Sequence, residues 1–272
     1  PDFEQSADAS LTQLEEILAE HHHELAAMVL EPLVQAAAGI VFHPPGYLAG
    51  VRELTRKYDV LLIADEIVTG MGRTGRLFAC NVENVVPDFL CLGKSLSGGY
   101  LPLSATLTTP EIYSGFLGTA TSGRALMHGH TFAGNPLCAA AAHATLDILE
   151  QQNILEKLPE KFAILEKVLS NLANHPRVAA TRQKGMIAAV ELTPTEDPTD
   201  RYPADLRIAY KVCAETIRRG VWLRPLGDVL VIMPPLTISA DELQFLGSTL
   251  REAIDAVTTS IDSSQCSPAV TS

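Results

Sequence analysis

An α/β fold with a mainly parallel sheet, followed by a smaller α+β domain, is what this sequence predicts. Three observations lead there. Short apolar runs alternate with amphipathic stretches through the first half of the chain, the pattern of parallel strands joined by helical crossovers. Two of those runs end on chemistry-bearing residues, "VLLIADE" on Asp65 and Glu66 and "DFLCLGK" on Lys94, and parallel sheets place their chemistry at the carboxyl ends of strands. Beyond about residue 150 the texture changes to strand pairs, a polar loop and amphipathic helices.

Taken in order, "SLTQLEEILAEH" from Ser10 opens with the capping-box pattern Ser10-x-x-Gln13 and continues at helical period. "HHHEL" from His21 to Leu25 carries metal-capable side chains. With no carboxylate–histidine motif around it, it is expected to be the exposed end of that helix. "LAAMVLEPLV" from Leu25 reads as a strand buried on both faces. "GYLAGVRELTRKYD" from Gly46 reads as a helix, and "VLLIADE" as a second buried strand. A loop with Gly70, Gly72 and Gly75 leads to "DFLCLGK", a third strand, and "LPLSATLTT" is a fourth.

From Asn135, "NPLCAAAAHATLDILEQQ" is an alanine-rich helix, and another is expected from Ile154 to Leu172. "VAATRQKGMIAAVEL" reads as a strand pair turned at Gly185, "DLRIAYKVCAETIRRG" as an amphipathic helix, and "VWLRPLGDVLVIMPP" as two strands bent at Pro225, Leu226 and Gly227. A last helix begins near Ala240, and the last ten residues, rich in Ser and Thr, read as disordered. The expected domains are 1–150, α/β, and 151–272, α+β.

Composition narrows the function classes. A net charge of -12 disfavours a nucleic-acid surface, which needs basic residues to displace counterions. No apolar run approaches the roughly 20 residues of a membrane helix. The five cysteines contain no C-x-x-C pair, so neither a zinc site nor a disulfide framework is expected, and a reducing, cytoplasmic setting fits. The chain begins at Pro1, without an initiator Met, and reaches a strand almost at once, so it reads as incomplete and says nothing about a targeting signal.

Asp65 and Lys94 allow two chemistries. A nucleotide hydrolase would use the acids on magnesium and a lysine in G-x-x-x-x-G-K-[ST] on phosphates. "GKS" occurs at Gly93 to Ser95, but the earlier glycine of that motif would fall on Asp88, and the lysine follows the acidic strand. A phosphate loop upstream of this chain would keep that reading open. Alternatively, an acid and a lysine from neighbouring strand ends converge on a planar heterocycle, as pyridoxal phosphate requires. Their spacing of 29 residues is about one strand–helix–strand unit. The lysine amine condenses with the cofactor aldehyde, and the carboxylate keeps the ring nitrogen protonated. At ~4 Å and an effective dielectric of 20 such a pair gains roughly 4 kcal/mol, or about three pK units.

The stretches "LLIADEIVTGMGRTG", "LCLGKSLSGGYLPLSATLTT", "HGHTFAGNPLCAAAA" and "GVWLRPLGDVLVIMPP" resemble the class III, fold-type I pyridoxal-phosphate aminotransferases. Within that class "LCLGK", "GGYLPLSATLTT" and "HGHTF" resemble the biotin-pathway branch more than the ornithine or acetylornithine branches. The resemblance implies transamination of 8-amino-7-oxononanoate to 7,8-diaminononanoate, with adenosylmethionine or lysine as amino donor. Lys94 matches the lysine that holds the cofactor and then serves as proton-transfer base, Asp65 the partner of the ring nitrogen, and Ile67 a residue packed on the ring face. Glu66 would stand behind Asp65. Thr131, flanked by Gly129 and His130, matches the threonine that binds the cofactor phosphate of the neighbouring subunit, which implies a homodimer with its active site at the interface. Arg224 matches the arginine that holds the acceptor carboxylate, its structural alternative being an ion pair within the small domain. Arg73 in "GMGRTG" is read as structural, near the entrance. The resemblance also implies that residues 1–150 are the second half of a larger domain. The Gly/Ser phosphate turn and the aromatic that stacks on the ring have no counterpart here, so weak or no activity is expected from this chain alone. The rivals are another class III ω-aminotransferase, or a fragment that only dimerises.

Overall fold

In the computed structural model, which describes residues 7–265, the chain divides into two compact units. The first comprises Pro1–Ala36 and Val41–Leu155, the second Ala37–Ile40 and Glu156–Ser272. The division therefore falls a few residues beyond 150, and a short early segment belongs to the second unit.

In the first unit α1 (Ala7–His21) precedes β1 (Ala27–Leu30), a two-stranded ribbon of β2 (Val34–Gln35) and β3 (Val41–Phe42), and α2 (Tyr47–Lys57). Then come β4 (Leu61–Asp65), β5 (Phe89–Leu92), β6 (Ala105–Thr108), α3 (Pro110–Gly115) and α4 (Pro136–Gln151). The sheet order is β1-β4-β5-β6. β1, β4 and β5 are parallel, whereas β6 returns antiparallel to β5. Only residues 93–104, with one short 3-10 turn, link β5 to β6, about the minimum length for a parallel crossover.

Two local expectations are corrected. Ser10 lies inside α1 and does not cap it, since the helix already includes Ala7. The run from Leu25 is not one strand buried on both faces: β1 stops at Leu30, Leu33 takes φ +65°, and Val29 is 62% exposed. His22–Glu24 forms a 3-10 turn after α1, with all three histidines exposed and no metal-ligating cluster among the described residues.

The base of this sheet is clamped by Asp88. Its carboxylate takes bonds from Arg52 Nη1 (2.6 Å) and Nη2 (2.9 Å) of α2 and from the Leu62 N–H of β4 (2.7 Å). Burial alone would raise the pKa of Asp88, but those bonds and the Arg52 charge outweigh it and hold the group below the usual range. Asp88→Ala would leave a guanidinium that is only 12% exposed without its partner, an expected cost of about 3–5 kcal/mol in a denaturant melt of the full-length protein. Because the folded pKa is lowered, this stabilisation is complete above the ordinary carboxylate pKa and is lost as pH falls through the lowered value.

The second unit holds α5 (Ile154–Ala173, which begins in the first unit), β7 (Val178–Lys184), β8 (Ile187–Leu192), α6 (Ile208–Arg218), β9 (Arg224–Leu226), β10 (Val229–Ile232) and α7 (Ala240–Gln265). Its antiparallel sheet runs β7-β8-β10-β9. Gly185 turns β7 into β8 at φ +61°, in the left-handed region that glycine adopts without strain. β9 and β10 are joined by a two-residue loop, Gly227 and Asp228, so Pro225 and Leu226 lie within the strand and not in the bend. Leu158, Leu165, Leu172, Ile187, Ile208 and Leu230 fill the core beneath this sheet. Arg182 on β7 donates to the carbonyls of Gly39 (2.9 Å) and Ile40 (3.2 Å), which fastens the early segment here. α7 runs to Gln265, three residues into the stretch read as a disordered tail; the rest of that stretch, with Cys266, lies outside the described residues.

Candidate active site

β4 and β5 are parallel neighbours with their carboxyl ends side by side; neither is the fully buried strand that its apolar run suggested, since in β4 only Leu62 and Ala64 are buried and in β5 only Leu92. Asp65 is in register with Cys91, and the Glu66 N–H donates to the Cys91 carbonyl at 2.9 Å. Lys94 follows Cys91 by three residues, so acid and amine leave the same edge of the sheet from adjacent strands. Asp65 is half-buried and its Oδ1 accepts the Ile67 N–H at 3.0 Å. Lys94 is exposed and opens a 3-10 turn, Lys94–Ser97.

The backbone of Lys94 sits at φ +41°. A non-glycine residue in that region carries strain that persists only where its surroundings impose it. Here the surroundings are a packed floor: Met71, Leu92 and Leu96 are buried together against Phe78, Leu90, Leu103 and Ala142. Gly93, just before, has Ile67 against its bare Cα, where an added Cβ would stand 3.4 Å from Ile67 Cγ2. Ile67 therefore bridges the Asp65 turn and the Lys94 strand end.

Glu66 is 1% exposed. Its Oε2 and Oε1 accept the N–H groups of Ala79 (2.6 Å) and Cys80 (2.8 Å), and the Cys80 thiol also donates to it. Burial pushes its pKa up while those bonds pull it back. The same burial, with the Glu66 charge, raises the Cys80 thiol far above its ordinary value. Arg73 lies largely buried in the intervening loop, and desolvation lowers its pKa to about 10, so it stays cationic at neutral pH.

Gly129, His130 and Thr131 stand in an exposed stretch. His130 Nδ1 accepts the Phe132 N–H (3.3 Å), its carbonyl accepts the Ala133 N–H (3.0 Å), and Asn135 caps α4 by accepting from Leu137 and Cys138. That cap is legible as Asn135-Pro136, a capping residue followed by proline in the first turn, and its value for fixing the Thr131 stretch is a site feature the motifs did not disclose. α4 packs on the Lys94 turn: Cys138 Sγ lies 3.5 Å from the Pro102 carbonyl, and a Cβ on Gly98 would stand 3.0 Å from Thr145 Oγ1. Arg224, in the second unit, is exposed at the start of β9 and pairs with no acidic side chain among the described residues.

The structure thus brings Asp65, Glu66, Ile67 and Lys94 together, holds the Thr131 stretch on a helix packed against the Lys94 turn, and leaves Arg224 in the other unit. An exposed amine and a carboxylate on one sheet edge, with an apolar side chain between them, fit the demands of pyridoxal phosphate. The same geometry argues against a nucleotide hydrolase, because "GKS" enters a 3-10 turn of four residues and not the α-helix N-terminus on which a phosphate loop depends.

Comparison with known proteins agrees. The family model described as Aminotransferase class-III matches residues 1–254. The adenosylmethionine-8-amino-7-oxononanoate aminotransferase of Geobacter sulfurreducens is 46% identical over 248 residues, covering 91% of this chain and 55% of that protein. The enzyme of that name from Aquifex aeolicus is also 46% identical, over 90% of this chain and 54% of its own length. The crystal structure of the Methanocaldococcus jannaschii enzyme of that name has a TM-score of 0.88 at 38% identity, covering 90% of this chain and 57% of that one. An ω-transaminase from Pseudomonas jessenii in complex with PMP gives 0.86 at 32%, covering 93% of this chain and 56% of that one. The chain spans about half the length of the curated relatives it matches. It belongs to the class III aminotransferases, a fold-type I family of pyridoxal-phosphate enzymes.

Proposed function

We propose that the protein containing this chain transfers an amino group to 8-amino-7-oxononanoate, making 7,8-diaminononanoate for biotin synthesis. The observation that carries the chemistry is the placement of Asp65 and Lys94 at the carboxyl ends of adjacent parallel strands, Asp65 in register with Cys91 and Lys94 three residues on. The choice of substrate leans on the names of the similar enzymes from Geobacter and Aquifex.

When bound, pyridoxal phosphate supplies an aldehyde to take the amino group and a ring to accept electrons. Lys94 would hold it through its amine and, once released by the incoming donor, move a proton between substrate and cofactor carbons. Asp65 would keep the ring nitrogen charged, and Ile67 would lie against the ring face. Thr131 and His130 would serve the cofactor phosphate of a neighbouring subunit, and Gly129, like Lys94 and Arg224, would contact the substrate. An uncovered apolar run supports an interface there: Leu126, Met127, Phe132 and Leu137 are 66%, 93%, 69% and 71% exposed. The donor is read as adenosylmethionine or lysine. Free cysteines at 80, 91, 138 and 213 support a cytoplasmic setting.

Arg224, exposed and without an acidic partner among the described residues, is free to hold the acceptor carboxylate. Arg224→Ala in the full-length protein is expected to raise KM for the oxo acid by about 10- to 100-fold, the size of a lost charge-assisted pair, and to leave KM for the donor unchanged. Equal rises for both substrates would remove Arg224 from this role. A panel of adenosylmethionine, lysine, pyruvate and 2-oxoglutarate tests the substrate assignment. Turnover of pyruvate in preference to the oxononanoate would favour a different class III ω-aminotransferase.

A further inference from the structure

Glu66 sits where three parts of the first unit meet. Its N–H makes the last bond between β4 and β5, to the Cys91 carbonyl. Its own carbonyl accepts the Gly70 N–H at 3.0 Å, and the turn winds so closely that a Cβ on Gly70 would stand 2.8 Å from that oxygen. Its carboxylate, reaching 13 residues along the chain, takes the Ala79 and Cys80 N–H groups at the far end of the loop. Residues 67–78 are therefore a closed loop clasped at one buried side chain. Asp65 is held to that loop through the Ile67 N–H, and Ile67 is held against Gly93 beside Lys94.

We infer that Glu66 is a positioning residue for the aminotransferase reaction: by clasping the 67–80 loop it sets the orientation of the Asp65 carboxylate toward the cofactor ring nitrogen. The inference rests on the proposed function. Loss of the clasp frees the turn that Asp65 hydrogen-bonds, and displacing a catalytic group by about 1 Å can cost about 100-fold in rate. A purely structural Glu66 would instead affect melting and leave the protonation of the ring untouched.

The test uses full-length holoenzyme carrying Glu66→Gln, with Asp65→Asn as the reference. The introduced carboxamide would keep one acceptor oxygen but turn an amide N–H toward a backbone N–H. The readouts are the pH midpoint of the visible absorbance of the lysine-bound cofactor, kcat and KM, and amide exchange of Ala79 and Cys80 in the cofactor-free protein. Expected for E66Q are a midpoint moved toward that of D65N, a kcat lower by about 10- to 100-fold with KM little changed, and faster exchange at both amides. Cys80→Ala, which removes only the thiol donor, should move the midpoint the same way by less. A lowered melting temperature with wild-type midpoint and kcat would overturn the inference. If E66Q does not fold, Glu66→Asp keeps the charge and shortens the reach, and an unmoved midpoint there overturns it equally. A wild-type protein with no visible band would instead refute the aminotransferase reading itself, so the two failures are distinguishable.

Discussion

Replacing Lys94 by alanine in the full-length protein is expected to lower kcat by at least about a thousandfold, within the range that a proton-transferring side chain contributes, and to abolish covalent attachment of pyridoxal phosphate. Both effects have one origin. Lys94 is exposed just past the end of β5, beside a packed apolar floor, with its backbone at φ +41°. Because nothing in that floor involves the amine, and alanine keeps the Cβ that makes φ +41° costly, Lys94→Ala should melt near the wild-type temperature. Single-turnover rates and the visible spectrum measure the first part, and a thermal melt the second. A variant that retained turnover would place the reacting amine elsewhere.

The second large effect is expected from Asp65→Asn. It preserves shape and an oxygen able to accept the Ile67 N–H, so the fold should persist while the charge is removed. With roughly 4 kcal/mol of ion pairing lost, kcat should drop by about a thousandfold. KM for both substrates should change little, because Asp65 acts on the ring and not on the substrate carboxylate. The signature that separates this from general damage is the pH dependence of the cofactor absorbance. Without the carboxylate the ring nitrogen releases its proton at lower pH, so the spectrum should change through the neutral range where the wild type is constant. An unshifted spectrum would show that Asp65 does not face the ring.

The acid and the lysine were legible in the sequence because each strand reads as a short uninterrupted apolar run that ends on a charged residue, although in this chain β4 and β5 are only partly buried. Their meeting on one edge follows from the parallel pairing of β4 and β5. Other features depend on context that spacing does not carry. Val29 looks like a core residue, yet it is 62% exposed on the face of β1 opposite Leu30, which is buried. "LPLSATLTT" reads equally well in either direction, and only its pairing with β5 shows it to be antiparallel. Ser10 has the right residue type for a cap but lies a turn too late in α1. The clasp of Glu66 on Ala79 and Cys80, and the bonds from Arg182 to Gly39 and Ile40, join residues 13 to 143 positions apart. No local pattern announces contacts of that kind.

The stretch around Thr131 lies between these cases. Its "HGHTFAGNP" motif points to a function, while in this chain the stretch is exposed and touches neither Asp65 nor Lys94 through any hydrogen bond among the described residues. That is consistent with a role toward a neighbouring subunit, the reading given above.

The most direct measurement is borohydride reduction of the full-length protein after incubation with pyridoxal phosphate, followed by peptide mapping. The aminotransferase reading predicts a visible band that vanishes on reduction, with one cofactor label per chain on the peptide carrying Lys94. A label on a different lysine, or no label on a folded full-length protein, would contradict it.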